Sequence, residues 1–213
     1  VNNDHVDPRL DHTVAMEGKP FKYDPELIHG GDSWARAPGI YGNYTGMKDL
    51  EHPECDCRGE NGPFPIFSLN TVLVRYADVL LWKAEALIEL DRWEEATPII
   101  NRLRERAAAS TARLNDASLY RIGTYDTFTS KAEARQALRW ERRVELGLEG
   151  HRFFDLVRWG VAKETIDEYL TTERGRKPYL EDAAFTKNKH EYLPIPNQQI
   201  NLSGGIYIQN PGY

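Results

Sequence analysis

The sequence predicts a mainly α fold carrying long irregular loops, and three observations support that prediction. Apolar residues recur at helical spacing from Thr71 to Ala107 and again after Ser130. Residues 1–70 are rich in Gly, Pro, Asn and Asp and lack such periodicity. Between Arg139 and Trp159, acids, arginines and aromatics are packed more densely than one exposed helix needs. Two segments follow: a loop-rich stretch, 1–70, that must pack on a helical body, and that body with its extended tail, 71–213.

At 213 residues, with 40% hydrophobic and 28% charged, the chain can bury a substantial core. A net charge of −6 and a pI near 5.6, with no lysine-arginine stripe, argue against nucleic acid as a partner. No run approaches the roughly 20 apolar residues of a membrane-spanning helix. Val1 opens into polar, loop-like sequence with no secretory signal, so a cut inside a longer chain or a processed product is expected.

In the first segment, His12–Ala15 is expected to form a short strand and the rest long loops. Cys55 and Cys57 leave two readings, a reduced pair on a surface loop or one local bridge. With only His52 nearby, a metal set is incomplete.

Beyond Thr71, Val74, Ala77, Leu80, Leu81, Ala84, Leu87 and Ile88 mark one helical face. Asp91 and Arg92 turn the chain, and Trp93, Ala96, Ile99, Ile100, Leu103 and Ala107 mark a second face. So short a turn forces antiparallel packing. Small Ala84 and Ala96 opposite Leu87, Trp93 and Ile100 resemble one tetratricopeptide (TPR) hairpin, although Leu103 stands where that repeat often has alanine. After a polar connector, Ser130 and Glu133 form a capping box for a helix running to Glu149, which Gly150 stops. Short helices are expected at Phe153–Trp159 and Val161–Leu170, and Pro194 and Pro196 hold the tail extended. Trp82, Trp93, Trp140 and Trp159 are assigned to packing within or between helices.

Glu141, Glu145 and Glu149 fall four apart and form one acidic ridge on a helix. Arg139, Arg142 and Arg143 interleave with it, and Arg152 and Asp155 follow Gly150, so a structural ion-pair network joining two helices is expected. Glycoside hydrolysis needs one carboxyl with a raised pKa, and this much arginine acts the opposite way. No catalytic residue and no enzyme activity are therefore expected. Trp34, Tyr41, Asn43 and Tyr44 lie in a glycine-rich loop where aromatic faces can stack on sugar rings while Asn43, Asp32 or Arg36 bonds hydroxyls. The competing reading is that these aromatics anchor the loop, and Lys48, four residues after Tyr44, suits either role. His5, His12, His29, His52 and His190 show no metal spacing and no EF-hand loop is present. No metal or cofactor is expected, and a structural calcium ion has no motif behind it.

Six segments, in order, resemble the carboxy-terminal part of the SusD/RagB family: DPRL at Asp7–Leu10, VRYADVLLWKAEAL at Val74–Leu87, INRLRERA at Ile100–Ala107, ERRVELGLEGHRFFDLVRWG at Glu141–Gly160, YLPIP at Tyr192–Pro196 and QNPGY at Gln209–Tyr213. The resemblance implies a SusD-like helical fold with TPR hairpins supporting a loop-rich region, both segments being parts of one larger unit. It also implies a non-enzymatic nutrient-binding lipoprotein on the extracellular face of the outer membrane of Bacteroidetes-type cells, its lipid anchor lying outside this chain. Such a protein passes oligosaccharide or another nutrient to a SusC-type TonB-dependent transporter. A second reading is a TPR-type scaffold that caps the transporter without sugar affinity of its own.

Overall fold

The computed structural model describes residues 5–61, 63–115 and 117–213. It divides into two compact units, 1–150 and 151–213.

The first unit opens with a turn built by Asp7 and Pro8. Asp7 Oδ1 accepts the Arg9 backbone N–H at 2.9 Å and the Asp7 carbonyl accepts from Leu10 at 3.0 Å. That turn starts helix α1 (Arg9–Thr13), which runs straight into strand β1 (Val14–Ala15). The strand expected over His12–Ala15 is thus half helix, because the Asp-Pro turn upstream nucleates a helical turn through His12. Strands β2 (Pro20–Phe21) and β3 (Asp24–Ile28) form a hairpin in which Phe21 opposes Asp24. Its two loop residues, Lys22 and Tyr23, both take positive φ, 52° and 68°, as right-twisted two-residue hairpins require. Helix α2 (Pro38–Tyr41) leads to β4 (Thr45–Gly46), antiparallel to β1 with Ala15 opposite Thr45. Strands β5 (Arg58–Asn61) and β6 (Phe64–Phe67) make a third antiparallel pair. The long loops expected here are therefore tied by three small sheets, which period-2 patterning could not reveal in strands of two to five residues. Cys55 and Cys57 are disulfide-bonded to each other, with Cα atoms 5.1 Å apart.

The helical core comes from α3 (Tyr76–Glu89), α4 (Trp93–Ala109) and α5 (Lys131–Glu145). Between α3 and α4 the Arg92 N–H bonds the Leu87 carbonyl at 2.8 Å and Asp91 N–H bonds Ile88 at 3.1 Å. With Asp91 at φ 60°, this is a Schellman reversal in which an aspartate holds the usual glycine position. Leu81, Ala84, Ile88, Ala96, Ile100, Ala134 and Leu138 are all sealed from solvent, so small residues let the three axes approach. Trp93 packs against that core, but Trp82 and Trp140 are 46% and 51% exposed. Their assignment to packing does not hold: Leu81 and Leu138 take the inward phase of α3 and α5, and one or two residues further on the helix has turned away.

Helix α5 begins with Ser130 Oγ accepting the Glu133 N–H at 3.2 Å. Glu133 Oε2 reaches back one residue further than the sequence suggested, to the Thr129 N–H at 2.7 Å. The helix ends at Glu145 rather than Glu149. Gly147 weakens its continuation, and Leu148 and Gly150, at φ 64° and 81°, reverse the chain.

The second unit contains α6 (His151–Arg158), α7 (Ala162–Glu173) and α8 (Asn197–Leu202), and Leu156 of α6, Ala162 of α7 and Phe185 form its small apolar cluster. Gly160, at φ 69°, closes α6 with a second Schellman reversal, Val161 N–H to Leu156 carbonyl at 3.0 Å. In the tail, the Gln209 side-chain amide bonds Ile195 in both directions, at 2.8 and 2.9 Å. Tyr213 O–H donates to the Tyr192 carbonyl at 2.9 Å. The two proline-bearing ends, YLPIP and QNPGY, are thereby fastened to each other.

Candidate functional site

The acids of the ridge are met by cations from other elements. Glu141 is 0% exposed and accepts from Arg104 Nη1 at 3.0 Å and from Arg9 Nη1. Arg9 turns its other edge to Asp7, Nη2 to Oδ2 at 2.7 Å. Glu145 Oε1 accepts from Arg106 Nη2 at 2.6 Å and from Arg75 Nη1 at 3.0 Å, while its Oε2 lies 3.4 Å from Arg9. Glu149, in the turn beyond α5, accepts two bonds from Arg75 at 2.8 Å and one from Lys48 at 2.5 Å. Lys48 also donates to the Glu145 carbonyl at 2.9 Å, which ties the β4 loop to the end of α5. Each of these carboxylates therefore accepts from at least two cations, as a buried charge requires.

The arginines assigned to the network divide differently. Arg142 is buried and pairs with Asp78 on α3 at 2.8 Å. Arg139 is half-buried on α5. Arg143 is exposed and lies over the Trp140 ring, 5.7 Å from its centroid. Arg152 and Asp155 belong to the second unit. There Arg152 stands 6.0 Å from the Trp159 ring and Asp155 pairs with Arg158 at 2.8 Å. Sequence reasoning missed Asp7, Arg9, Lys48, Arg75, Arg104 and Arg106. The signal was available, since all but Lys48 lie in the charged motifs DPRL, VRYAD and RLRER.

Burial by itself would raise the Glu145 carboxyl, but Arg106 and Arg75 outweigh it and hold it below the ordinary carboxylate range. Glu149 behaves likewise, its burial outweighed by Arg75 and Lys48. Their cationic partners favour the ionised form, which makes these groups poor general acids.

Above Glu145 and Glu149 opens a cavity of about 700 Å³. Its wall also carries His12, Tyr23, Ser110 and Arg113. Ser110 gives its hydroxyl proton to the Ala107 carbonyl at 2.7 Å, so it accepts from His12 Nε2–H, also at 2.7 Å. His12 Nδ1 is then left to accept from Tyr23 O–H at 3.0 Å.

The loop aromatics separate into two kinds. Tyr41 and Tyr44 are 72% and 67% exposed. Trp34, 42% exposed, packs edge-on to Phe21 at 5.4 Å and against His29 at 4.9 Å. His29 is buried, accepts the Gly31 N–H at 3.2 Å through Nδ1, and donates from Nε2 to Thr45 Oγ1 at 3.1 Å. Trp34 is thus part of the loop's own support, and Asn43 is half-buried between the two tyrosines in sequence. Among the described residues there is no cluster of three His, Cys, Asp or Glu able to hold a metal ion. No described helix is long and apolar enough to cross a membrane.

The profile of the SusD family matches residues 2–213. The chain belongs to the SusD family. It is 31% identical over 180 residues to SusD-like protein P25 of Formosa agariphila, covering 81% of this chain and 30% of that protein. It is 39% identical over 97 residues to SusD-like protein P38 of the same organism, covering 46% of this chain and 18% of the relative. Its fold matches the crystal structure of a SusD homolog from Bacteroides thetaiotaomicron with a TM-score of 0.66 and 25% identity, over 97% of this chain and 41% of that one. A SusD-like protein from Bacteroides fragilis gives a TM-score of 0.64 at 21% identity, over 97% and 39% of the two chains. The chain thus has the mainly helical SusD-type fold, and it spans 30% or less of the curated relatives named here.

Proposed function

We propose that this chain is part of a non-enzymatic, cell-surface glycan-binding protein that hands oligosaccharide to a SusC-type TonB-dependent outer-membrane transporter. The observation that carries this reading is the family match over residues 2–213. In the same reading the whole protein is a lipoprotein on the extracellular face of the outer membrane of a Bacteroidetes-type cell, serving polysaccharide utilization. Tyr41 and Tyr44 supply the exposed rings for stacking on sugar C–H faces, with Asn43 bonding hydroxyls and Trp34 stiffening the loop from behind. Saturated ion pairs around Glu145 and Glu149 support a binding role over a hydrolytic one.

Isothermal titration of the full-length, anchor-free protein against neutral and acidic oligosaccharides tests this. Saturable binding to one glycan class, weakened about tenfold by Tyr41→Ala or Tyr44→Ala, is the expected result. Silence across the panel, with capture of the transporter in a pull-down, would replace it by the scaffold reading. That second reading draws on the α3–α4 hairpin, where Tyr76 and Trp82 stay exposed.

A further inference from the structure

We propose that the cavity beside α4 is a subsite for the anionic group of an acidic sugar, a carboxylate or a sulfate ester, held between Arg106 and Arg113. The inference deepens the glycan-binding reading and rests on it for the identity of the ligand.

The cavity wall carries five cationic side chains against three acids, Asp49, Glu145 and Glu149. Glu145 and Glu149 are spent on the cations of the floor, Glu145 Oε1 and Glu149 Oε1 each accepting two bonds. Arg106 uses one N–H on Glu145 and is half exposed, so most of its five donors face elsewhere. Arg113 has no carboxylate partner among the described residues and is exposed. Two guanidinium groups therefore border a space of about 700 Å³, within the roughly 300–1,000 Å³ typical of small-ligand sites. Guanidinium forks suit planar carboxylates and sulfate-like oxyanions.

Two hydroxyl-bearing residues complete the wall. Tyr23 and Ser110 place hydroxyl groups on the wall, and His12 connects them at 3.0 and 2.7 Å. Burial depresses the His12 pKa; Asp11 and Asp7 pull it up, and Arg106 and Arg113 push it down. An anion between the two arginines cancels their push and so raises the His12 pKa, favouring a proton from solvent at Nδ1. Nδ1–H then donates to the Tyr23 oxygen, and the Tyr23 hydroxyl proton turns from His12 to the ligand.

The test follows the His12 ring signals by NMR in the full-length protein titrated with glucuronate, glucose 6-sulfate and glucose. Glucuronate or glucose 6-sulfate is expected to saturate the shift and raise the His12 pKa, and whichever binds more tightly names the anionic group. Glucose should leave the signals unmoved. Arg113→Ala, at an exposed position, should weaken the anion by about tenfold or more, and Tyr23→Phe should weaken it while preserving ring packing. Unchanged affinity in Arg113→Ala, an equal response to glucose, or no response to any of the three sugars would overturn the proposal. If the anionic sugars titrate His12 while longer oligosaccharides fail to bind anywhere, the glycan-capture reading falls and the anion subsite stands.

Discussion

Arg75 grips Glu149 through two parallel hydrogen bonds, Nε to Oε2 and Nη2 to Oε1, each 2.8 Å long. Arg75 immediately precedes α3, and Glu149 lies in the turn that follows α5, so the pair clamps two ends of the helical core 74 residues apart. The same guanidinium reaches Glu145 Oε1 and the Glu145 carbonyl. One flat fork thereby sets the position of three acceptors and of the turn that forms the cavity floor.

Arg75→Lys should expose the value of that planarity. Lysine keeps the charge but cannot bond two carboxylates and a carbonyl from one plane, so a loss of about 1–2 kcal/mol is expected. Urea denaturation compared with the parent chain measures it. A variant of parental stability would mean that charge alone holds the turn.

Glu145→Ala removes the acceptor shared by Arg75, Arg106 and Arg9 and leaves their charges facing one another. The expected cost is roughly 2–4 kcal/mol, as for other buried pairs deprived of one partner. Glu145→Gln, which keeps the shape and loses the charge, should recover only part of it in the same denaturation experiment.

Trp34 and Tyr41 should behave differently although one loop carries both. Tyr41 projects into solvent, so Tyr41→Ala should change stability by no more than about 0.5 kcal/mol and act on glycan affinity. Trp34 packs on Phe21 and His29, so Trp34→Ala should cost about 1–2 kcal/mol, below the usual cost for a fully buried tryptophan. Gly30→Ala probes the same packing, because a Cβ there would clash with the Ser33 hydroxyl and stand 2.7 Å from Trp34 Cδ1, so both side chains must move. Paired melting and titration curves separate the two effects.

Stability should fall in two steps as the solution is acidified. Burial holds His29 below the usual histidine pKa, against the pull of Glu17, and His12 is lowered chiefly by burial too. The unfolded chain therefore takes up these protons first: their contribution is complete above about pH 6.5 and is lost as pH falls through the lowered native values. Glu145, Glu149 and Asp7 are lowered by their cationic partners despite burial, so their contribution is complete above about pH 4.5 and is lost below it. Denaturation midpoints from pH 8 to 3 should show both limbs, and His29→Gln should shrink the first to the His12 contribution while leaving the second.

The helical hairpin was legible because its evidence is local. Leu80, Leu81, Ala84, Leu87 and Ile88 repeat with the helix period, and Ser130 with Glu133 announces the start of α5 three residues away. The end of α5 was misplaced because a four-residue acidic spacing persists to Glu149 although the backbone has already left the helix at Leu146. The small sheets of residues 14–67 escaped notice because strands of two to five residues carry too few alternations to register.

By itself the sequence determined the α3–α4 pair, the capped α5, the family resemblance and the dense charge around Arg139–Trp159. Each follows from neighbours within a turn or two, or from motifs that survive as strings. Only the tertiary structure decided which cation serves which acid: Arg104 for Glu141, Arg106 for Glu145, and Arg75 with Lys48 for Glu149. It also decided that Trp34 supports its loop while Tyr41 faces water, and that Arg113 borders a cavity. A charge carries no register along the chain, so its partner is set by the packing of the elements that bear it.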